Sequence, residues 1–416
     1  MKVTLLRRSE LALAVYLPTA LLALAQGLLL ATLPFHADSL GVSLTFVSVI
    51  VSAAAIGTLL TDVPAGALLF RIGLRRSMLM GAALVVLGTL SLALPLSPIQ
   101  VVGLRILAGV GTALWALSRH AFIAQTVDIA NRGRSIAVFG GINRIGVFGG
   151  PALGGAIATA SSTTASFLVA GAMGLLALIA AARFIPDDHG QALERRGTGR
   201  KRWDLVGTTL RTHSSDLTAA AIAQLFAQMI RQGRQLLIPL VGARELGLNP
   251  AEVGTIMTVS AVIDMSMFFP AGVLMDRFGR KFASVPSFAI MAIGIGMVPF
   301  AGSFVGLLIA GLVIGLGNGL GSGSMMTLGA DLAPEGATGE FLGIWRLIGD
   351  IGMVAGPLTV GVIASQMGLT GSSIALMIAG LLASATLLFM VKETRISEPR
   401  RHEVVAGPAS KPPAGA

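Results

Sequence analysis

The chain contains no cysteine and only five histidines among its 416 residues. The absence of cysteine excludes disulfides and thiolate metal sites, and the histidines do not cluster at the spacing of metal ligands. The sequence also lacks the G-x-S-x-G, H-E-x-x-H and Walker patterns of common hydrolase, metalloprotease and nucleotide sites. We therefore expect no enzyme, no metal, no cofactor and no ATP hydrolysis in this chain.

Charged residues are also scarce, at 12%, whereas hydrophobic residues make up 54%. A chain of this length with so few charges is too apolar for a soluble protein. Windows of about 20 apolar residues, long enough to cross the hydrocarbon core of a bilayer, recur along it. The sequence predicts an all-α polytopic membrane protein. Its twelve transmembrane helices are placed near 11–34, 44–70, 77–96, 99–124, 135–160, 165–186, 216–241, 251–275, 282–301, 304–330, 339–366 and 372–391.

The basic residues predict the orientation, because Lys and Arg beside a span stay on the cytoplasmic side of the membrane. With the N-terminus inside, most of the 30 basic residues fall in cytoplasmic segments, and Arg244 is placed in an external loop. Both termini are thus predicted to be cytoplasmic, in a multi-pass protein of the cytoplasmic (inner) membrane. The charges scatter over short loops rather than forming a basic face, so we expect no nucleic-acid partner.

An internal repeat divides the chain into two halves. At an offset of 206 residues, "GVFGGPALGG" (146–155) aligns with "GMVAGPLTVG" (352–361), and "PAGALLFRIGLRR" (64–76) aligns with "PAGVLMDRFGRKF" (270–282). Each half has an even number of spans, so both insert the same way up, and substrate sites in such repeats lie near the midplane between the halves. The predicted organisation is a six-helix bundle at 1–186, a cytoplasmic linker at 187–215, a second six-helix bundle at 216–391, and a tail at 392–416 that we expect to be disordered.

Three short motifs accompany the repeat. The loop pattern G-x-L-x-D-R-x-G-R-K between the second and third spans of a half is complete in the second half, whereas Phe70 replaces the acid in the first half. The fourth span carries R-x-x-x-G-x-G, and the fifth carries G-x-x-x-G-P-x-x-G-G. The matching residues are Gly66, Leu68, Arg71, Gly73 and Arg75; Gly272, Leu274, Asp276, Arg277, Gly279, Arg280 and Lys281; Arg105, Gly109 and Gly111; and Gly146, Gly150, Pro151, Gly154 and Gly155.

With these motifs, essentially the whole chain resembles the major facilitator superfamily of secondary transporters. The fifth-span motif resembles that of the drug:H+ antiporter branches. The resemblance implies a monomer with a small-molecule substrate, and it implies that Asp276 helps to hold the cytoplasmic ends together in the outward-open form. Anchoring at the inner surface is the alternative role for the basic loop residues. Because Phe70 replaces the acid in the first loop, a conformational switch there must use another acid, such as Asp62. Otherwise the switch is asymmetric between the two halves.

Ionisable side chains inside the predicted spans are the candidate substrate and proton-coupling residues. Each costs at least ~2.5 kcal/mol at the centre of a membrane helix, so each indicates a function by default. Arg346 and Asp350 stand four residues apart and can neutralise each other, so a structural pair is the alternative there. The candidates are Asp62, Arg105, Arg144, Arg231, Arg234, Asp264, Arg346 and Asp350.

Coupling to protons requires a group that binds and releases one inside the membrane. We expect Asp62, Asp264 or Asp350 to do so, since a desolvated carboxylate holds a proton more readily than one in water. In related antiporters the arginine at the position of Arg105 is linked to proton coupling. The seventh span is polar on more than one face, so we expect it to line the cavity; its polar residues are Arg231, Arg234, Gln224, Gln228, Gln232 and Gln235.

Two further basic groups, Arg119 and His120, lie toward the cytoplasmic end of the fourth span. Long polar side chains near the end of a membrane helix commonly reach out to the interface. We therefore expect both to extend to the membrane surface rather than to contact substrate.

The nature of the substrate is left open between two readings. The resemblance favours proton-coupled export of drugs or metabolites across the lipid bilayer. An excess of arginines over acids in the spans instead favours an organic anion, because guanidinium groups pair with carboxylate or phosphate. A membrane sensor or an integral-membrane enzyme is a remote alternative, since no signalling domain or catalytic constellation is evident.

The fifth-span motif places a glycine at every fourth position. In lipid, such small residues let helices approach closely, so Gly146, Gly150 and Gly154 predict a groove beside a bend at Pro151. The equivalent residues of the eleventh span are Gly352, Gly356, Pro357 and Gly361. As the family's architecture implies, we expect spans five and eleven to pack through these grooves against spans eight and two, as a sliding contact between the halves. Gly150→Leu should then abolish transport while expression persists, unless the groove is a passive packing face.

Overall fold

Twelve membrane-spanning helices lie within the part of the chain that the structure describes. The computed structural model describes residues 11–127, 129–186, 199–212 and 214–394, and all regular structure within these ranges is helical. Nine helices in this part of the chain are long and apolar enough to cross a membrane. One of them, Thr338–Phe389, consists of two spans that meet at Gly368, where a φ of 75° interrupts the helix. The remaining two, Ile129–Ala160 and Ser214–Arg244, carry arginines that lower their hydropathy.

The first bundle contains six helices. They are α1 (Leu17–Ser39), α2 (Leu44–Ile72), α3 (Leu74–Leu90), α4 (Pro98–Thr126), α5 (Ile129–Ala160) and α6 (Thr163–Phe184). A π-helical turn at Ala12–Tyr16 precedes α1, and a 3-10 turn at Ser91–Ala93 follows α3. Serine side chains cap the outer starts of α2 and α6, because the Ser43 and Ser162 hydroxyls accept backbone N–H groups that would otherwise lack a partner.

The second bundle repeats this arrangement with two broken helices. Its members are α7 (Ser214–Arg244), α8 (Pro250–Ser266 and Phe268–Phe278), α9 (Arg280–Met297), α10 (Phe304–Leu320 and Ser324–Leu332), α11 (338–367) and α12 (369–389). The helix α8 breaks at Met267, and α10 breaks at 321–323, where Gly323 has a φ of 79°. Non-helical backbone at membrane depth is tolerated only where protein or a cavity surrounds it. We therefore expect protein or a cavity around both breaks.

A short helix, Gly199–Thr212, lies within the segment predicted to be a cytoplasmic linker. Residues 187–198 and 213 of that segment lie outside the described residues, as do residues 395–416 of the predicted tail. The side chains of Gly66, Leu68, Phe70 and Arg71 in the first loop motif are likewise outside the description.

Two pairs of helices form the interface between the bundles. The helix α5 packs on α8, and α2 packs on α11, as expected from the sequence. Within the bundles, the closest neighbours are α1 with α5 and, equivalently, α7 with α11. The repeat offset of 206 residues therefore relates both the internal packing and the interface, and the space between the bundles is bounded by equivalent helices.

Candidate functional site

A cavity of about 240 Å³ lies between the bundles. Helices α1, α2, α3 and α4 form one side, and α7 and α11 form the other. Most of its lining is aliphatic, and its polar side chains are Gln26, Thr58, Thr89, Arg105, Thr112, Gln232, Gln235 and Ser52. The Nε atom of Arg105 is buried without a hydrogen-bond partner among the described residues. The cavity thus offers an apolar wall with one fixed positive charge.

A second cavity, of about 160 Å³, is more polar. Arg144 of α5, Arg231 of α7, Asp264 of α8 and Asn318 of α10 all contribute to its lining. Asn318 Nδ2 donates to Asp264 Oδ2 at 2.6 Å, and the Asp264 residue is 1% exposed. Four helices from both bundles therefore bring charges of both signs together at one point.

The break in α10 adjoins this second cavity, and the break in α8 at Met267 follows the lining residue Asp264 by three positions. The broken turn of α10 leaves the Gly321 carbonyl able to accept from Arg231 Nη2 at 3.0 Å, and Gly323 lines the cavity. Glycines also bring α10 close to α8, since a Cβ added to Gly319 would lie 2.5 Å from the Asp264 carbonyl oxygen. The irregular backbone thus lies where a cavity accommodates it.

A third, smaller cavity of about 50 Å³ lies between the other two. It shares Gln235 with the first cavity and Phe148 with the second, and Arg234 lines it. The three cavities form a row from the first bundle to the second. Polar residues of α7 line all three, as expected from the sequence of that span.

A separate group of charges joins α2 to α11. Arg346 Nε lies 3.3 Å from Asp62 Oδ2 across the interface and 3.7 Å from Asp350 Oδ2 on its own helix. Arg346 therefore has one acid from each helix beside it, Asp62 from α2 and Asp350 from α11. The i, i+4 pair expected from the sequence is therefore part of a three-residue group, with two acids for one arginine.

The other interface carries a different pair at equivalent positions. The repeat relates Asp62 to Phe268 and Asp350 to Arg144. Between α5 and α8, the Arg144 guanidinium lies 4.8 Å from the centre of the Phe268 ring, a cation–π contact. One interface thus holds ionisable acids, and its counterpart holds an arginine on an aromatic ring.

The outer ends of the bundles are closed against each other. Arg244 at the end of α7 donates from Nε and Nη2 to Asp38 Oδ1 of α1, at 2.9 and 2.6 Å. These two residues occupy equivalent positions of the repeat. Close to them, Thr45 Oγ1 of α2 donates to Ser365 Oγ of α11 at 3.0 Å. Further in, the half-exposed Arg346 of α11 faces Asp62 of α2.

The Asp38–Arg244 ion pair is expected to favour the outward-closed arrangement. Because it is partly exposed, Arg244→Gln should cost only about 0.2–1 kcal/mol, a roughly 1.5- to 5-fold shift toward outward opening. The absence of cysteine allows Ser48→Cys, at a fully buried position between α2 and α11, to report opening through its reaction rate with an external impermeant thiol reagent. Exchanging the two charges (Asp38→Arg with Arg244→Asp) should restore the original rate. An unchanged rate in Arg244→Gln contradicts the assignment.

Comparisons with known proteins identify the family. The family model described as Major Facilitator Superfamily matches residues 15–230 and 220–414. The chain belongs to the major facilitator superfamily. Among solved structures, a D-xylose-proton symporter has a TM-score of 0.75 at 17% identity, covering 93% of this chain and 98% of that one. This likeness concerns the fold.

Two relatives are similar in sequence. The tetracycline resistance protein, class C, of Escherichia coli is 26% identical over 199 residues, which are 47% of this chain and 49% of that protein. An uncharacterized MFS-type transporter of Methanocaldococcus jannaschii is 26% identical over 144 residues, 35% of this chain and 37% of the relative. The chain thus aligns with half or less of the length of these curated relatives. As a superfamily member it is a multi-pass membrane protein.

The glycine motif of this superfamily member contacts two different neighbours. Gly146, Gly150 and Gly154 face α1 of their own bundle, and a Cβ added to Gly150 would overlap the Cα of Gly27. The expectation that this groove packs on α8 is therefore wrong for these three glycines. The reason is that recurrence every four residues places them on one helix face, but that face points inward. Only Gly155 contacts α8, where an added Cβ would overlap the Pro250 carbonyl oxygen.

The eleventh span divides its motif in the same way. Gly352 and Gly356 pack on α7, and an added Cβ at Gly356 would lie 2.7 Å from the Gly233 nitrogen. The expectation that they pack on α2 is wrong, whereas Gly361 does contact Ser48 of α2. In both halves the motif combines a fixed contact within a bundle and a single glycine at the interface.

Pro151 has a role at the same interface. The Thr258 hydroxyl of α8 donates to the Phe148 carbonyl oxygen and accepts the Ala152 N–H, both at 3.0 Å. It therefore occupies the place of a backbone hydrogen bond in α5, beside the proline. This contact fastens α8 directly to the bent region of α5.

The cytoplasmic loops turn at single glycines. Gly73 (φ 87°) joins α2 to α3, and Gly279 (φ 115°) joins α8 to α9. A positive φ is readily adopted by glycine and rarely by other residues, which explains these two positions in the motif. In the first half, Arg75 Nη2 donates to the Ala182 carbonyl oxygen at 2.9 Å.

Acids from the end of α10 and from the residues after α12 hold the second loop. Glu393 accepts the N–H groups of Arg280 and Lys281 at 2.8 and 3.0 Å, and Arg280 Nε donates to Asp331 at 3.0 Å. The Asp276 side chain is 84% exposed, with Arg280 at 3.7 Å. Because the bundles are closed at the outer face, the role implied for Asp276 belongs to the opposite arrangement.

Arg119 does not extend to the membrane surface. It is 6% exposed, Nη1 donates to Thr19 Oγ1 at 3.3 Å, and its guanidinium lies 4.0 Å from the centre of the Phe139 ring. The expectation is wrong because partners on α1 and α5 are available inside the bundle. The neighbouring His120 turns back to the Ala116 carbonyl.

The candidates from the sequence thus separate into four places. Arg144, Arg231 and Asp264 meet in the second cavity, Arg105 and Arg234 lie at the other two, and Asp62, Asp350 and Arg346 meet at the α2–α11 interface. The sequence reasoning missed Asn318 and Gln26, although polar side chains inside apolar spans were the available signal. It also missed Thr258, for which no signal exists because a threonine hydroxyl normally bonds within its own helix.

Proposed function

We propose that the chain is a proton-coupled exporter of small amphipathic organic molecules, acting as a monomer in the cytoplasmic membrane. The observation that carries this proposal is the group formed by Asp62, Asp350 and Arg346. Asp62 and Asp350 both lie beside the Arg346 guanidinium, and two carboxyl groups brought close together repel each other when both are ionised. With one arginine beside them, a single shared proton makes the group neutral, which suits its position inside the membrane.

The location of this group couples the proton to movement. Asp62 belongs to the first bundle, whereas Arg346 and Asp350 belong to the second. Alternating access moves the two bundles against each other around the substrate site. The same movement therefore joins or separates the two carboxyls, so proton binding and cavity orientation affect each other.

The cavities support an organic substrate. The first cavity presents mostly aliphatic side chains with few polar groups, the usual pattern of a site for a small amphipathic molecule. The similarity to a protein named for tetracycline resistance supports export, because removal from the cell is one route to resistance. We therefore assign the substrate to this cavity and the proton to the α2–α11 interface.

Neutralising either carboxyl is expected to uncouple transport from protons. In proteoliposomes, Asp62→Asn and Asp350→Asn should lose at least about 90% of substrate movement driven by a pH gradient, the size expected when a required proton carrier is absent. Exchange of labelled for unlabelled substrate should persist, because it needs no net proton movement. Asp204→Asn, on the exposed face of the linker helix, is the matched control. Full pH-driven transport in both variants contradicts the proposed coupling site.

Transport of organic anions is the second candidate function. It is favoured by Arg105, Arg144, Arg231 and Arg234, which line the three cavities with Asp264 as the single acid among the described lining residues. Thermal unfolding of the purified protein separates the two functions. Stabilisation by cationic drugs supports the first, and stabilisation by small organic anions alone supports the second.

A further inference from the structure

Several unsatisfied hydrogen-bonding atoms belong to the residues that line the second cavity. Asp264 Oδ1, Asn318 Oδ1, Arg144 Nη1 and Arg231 Nε are buried and have no hydrogen-bond partner among the described residues. Burying such a group without a partner costs free energy, and the cost is larger when the group is charged. Four such atoms around one cavity are the pattern of a site that a ligand completes.

The chemistry of these atoms specifies what the ligand must supply. The two arginine nitrogens are donors and need an acceptor, whereas the two carbonyl-type oxygens are acceptors and need a donor. An inorganic anion such as chloride satisfies only the first pair. Water can serve both pairs but carries no charge for the guanidinium groups. A complete partner therefore has an anionic acceptor and a hydrogen-bond donor close together.

The charge balance restricts the ligand further. Arg144 and Arg231 line the cavity with Asp264 as their single acid, and Arg234 is near enough to Arg231 and Asp264 to interact with both. Three positive groups face one negative group, so a cation is disfavoured and an anion is attracted. Guanidinium groups are well matched to carboxylates, which accept two hydrogen bonds side by side.

We propose that the cavity formed by Arg144, Arg231, Asp264 and Asn318 is a site for a carboxylate that carries a neighbouring hydrogen-bond donor, as in a 2-hydroxy acid. The carboxylate binds the arginines, and the donor binds Asp264 Oδ1 or Asn318 Oδ1. Phe148, shared with the adjoining small cavity, lies beside an apolar substituent that extends toward the first cavity. The inference rests on the proposed function only in that the cavities admit an organic substrate.

Three related ligands test the two requirements separately. Mandelate has the carboxylate and the hydroxyl, phenylacetate lacks the hydroxyl, and methyl mandelate lacks the charge. Isothermal titration of the purified full chain should give mandelate the tightest binding, with phenylacetate weaker by about tenfold or more, the value of one hydrogen bond to a charged group. Methyl mandelate should not bind measurably at millimolar concentration.

Two variants test which residues bind the carboxylate and which bind the hydrogen-bond donor of the ligand. Asp264→Asn presents an amide that donates to Asn318 Oδ1 or to the cavity, so mandelate should lose its advantage while phenylacetate binds at least as tightly as before. Retained phenylacetate binding also demonstrates that this variant is folded. Arg231→Gln should weaken both carboxylates about tenfold or more. Arg183→Gln, at the exposed cytoplasmic end of α6, is the matched control.

Three outcomes overturn the inference: equal affinity for mandelate and phenylacetate in the wild type, no binding of mandelate, or loss of binding in Arg105→Gln rather than in Arg231→Gln. The last outcome would move the ligand to the first cavity. Binding is measured in detergent without a pH gradient. A chain that binds mandelate as stated but does not couple transport to protons therefore contradicts the proposed function and leaves this site intact.

Discussion

Gly150→Leu is expected to yield almost no folded protein. The Gly150 position on α5 lies directly against Gly27 of α1, and even a Cβ would overlap the Gly27 backbone. Overpacking against movable side chains typically costs about 1–3 kcal/mol. Here the obstacle is backbone, which cannot turn aside, so we expect a cost above about 3 kcal/mol. The measurement is the amount of monodisperse protein recovered in detergent, together with its thermal unfolding temperature.

The adjacent glycine supplies the control. A Cβ added at Gly149 meets no atom within 4 Å, so Gly149→Leu should be recovered at the wild-type level, although it adds the same side chain to the same helix. Gly356→Leu, at the equivalent position in the second half, should behave like Gly150→Leu. Normal recovery of Gly150→Leu would mean that α1 and α5 are not in backbone contact. It would also restore the earlier expectation that this substitution affects transport alone.

The architecture could be predicted from the sequence because lipid imposes a simple rule on it. Apolar length predicts the spans, basic loops predict their orientation, and an offset of 206 residues pairs the halves. The breaks in α8 at Met267 and in α10 at 321–323 could not be predicted in this way. Both breaks lie inside windows of high mean hydropathy, and mean hydropathy predicts the length of a span rather than the continuity of its helix.

The individual residues of the site could be predicted from the sequence, but the contacts that bring them together could not. The cost of burying charge identified Asp62, Asp350 and Arg346 individually. Their grouping depends on the contact between α2 and α11, and the repeat relates Asp350 to Arg144 rather than to Asp62. The glycine motif has the same limitation. Recurrence at every fourth residue places glycines on one face, but which helix lies opposite that face is decided by tertiary packing.

This distinction between the two faces of α5 separates stability from movement. The glycines that face α1 are held in a contact within one bundle, which does not change as a rigid bundle rotates. Gly155 faces Pro250 of α8 in the other bundle, and that contact must form and break in each transport cycle. Substitution on the face toward α1 should therefore lower the yield of folded protein. Substitution on the face toward α8 should instead alter the balance between conformations.

Gly155→Leu is accordingly expected to fold normally and to lose transport. In the closed arrangement an added Cβ overlaps the Pro250 carbonyl oxygen, so the larger side chain prevents the outer ends from meeting. The bundles can avoid the overlap by separating, and a penalty of about 1–3 kcal/mol shifts the balance toward outward opening by roughly 5- to 150-fold. The rate at which an external thiol reagent labels Ser48→Cys, in the α2–α11 interface, should rise by the same factor. Substrate movement should fall to the background of empty liposomes.

A loss of transport alone would not establish this mechanism, because any damage to the protein also lowers transport. The combination of normal recovery, normal unfolding temperature and faster Ser48→Cys labelling is specific, since misfolding changes the first two and a blocked substrate site changes none of the three. Gly149→Leu in the same Ser48→Cys background corrects for the added side chain. If Gly155→Leu labels at the wild-type rate while transport is lost, the glycine acts on a step other than outer closure. The contact with Pro250 would then be a consequence of packing rather than the gate.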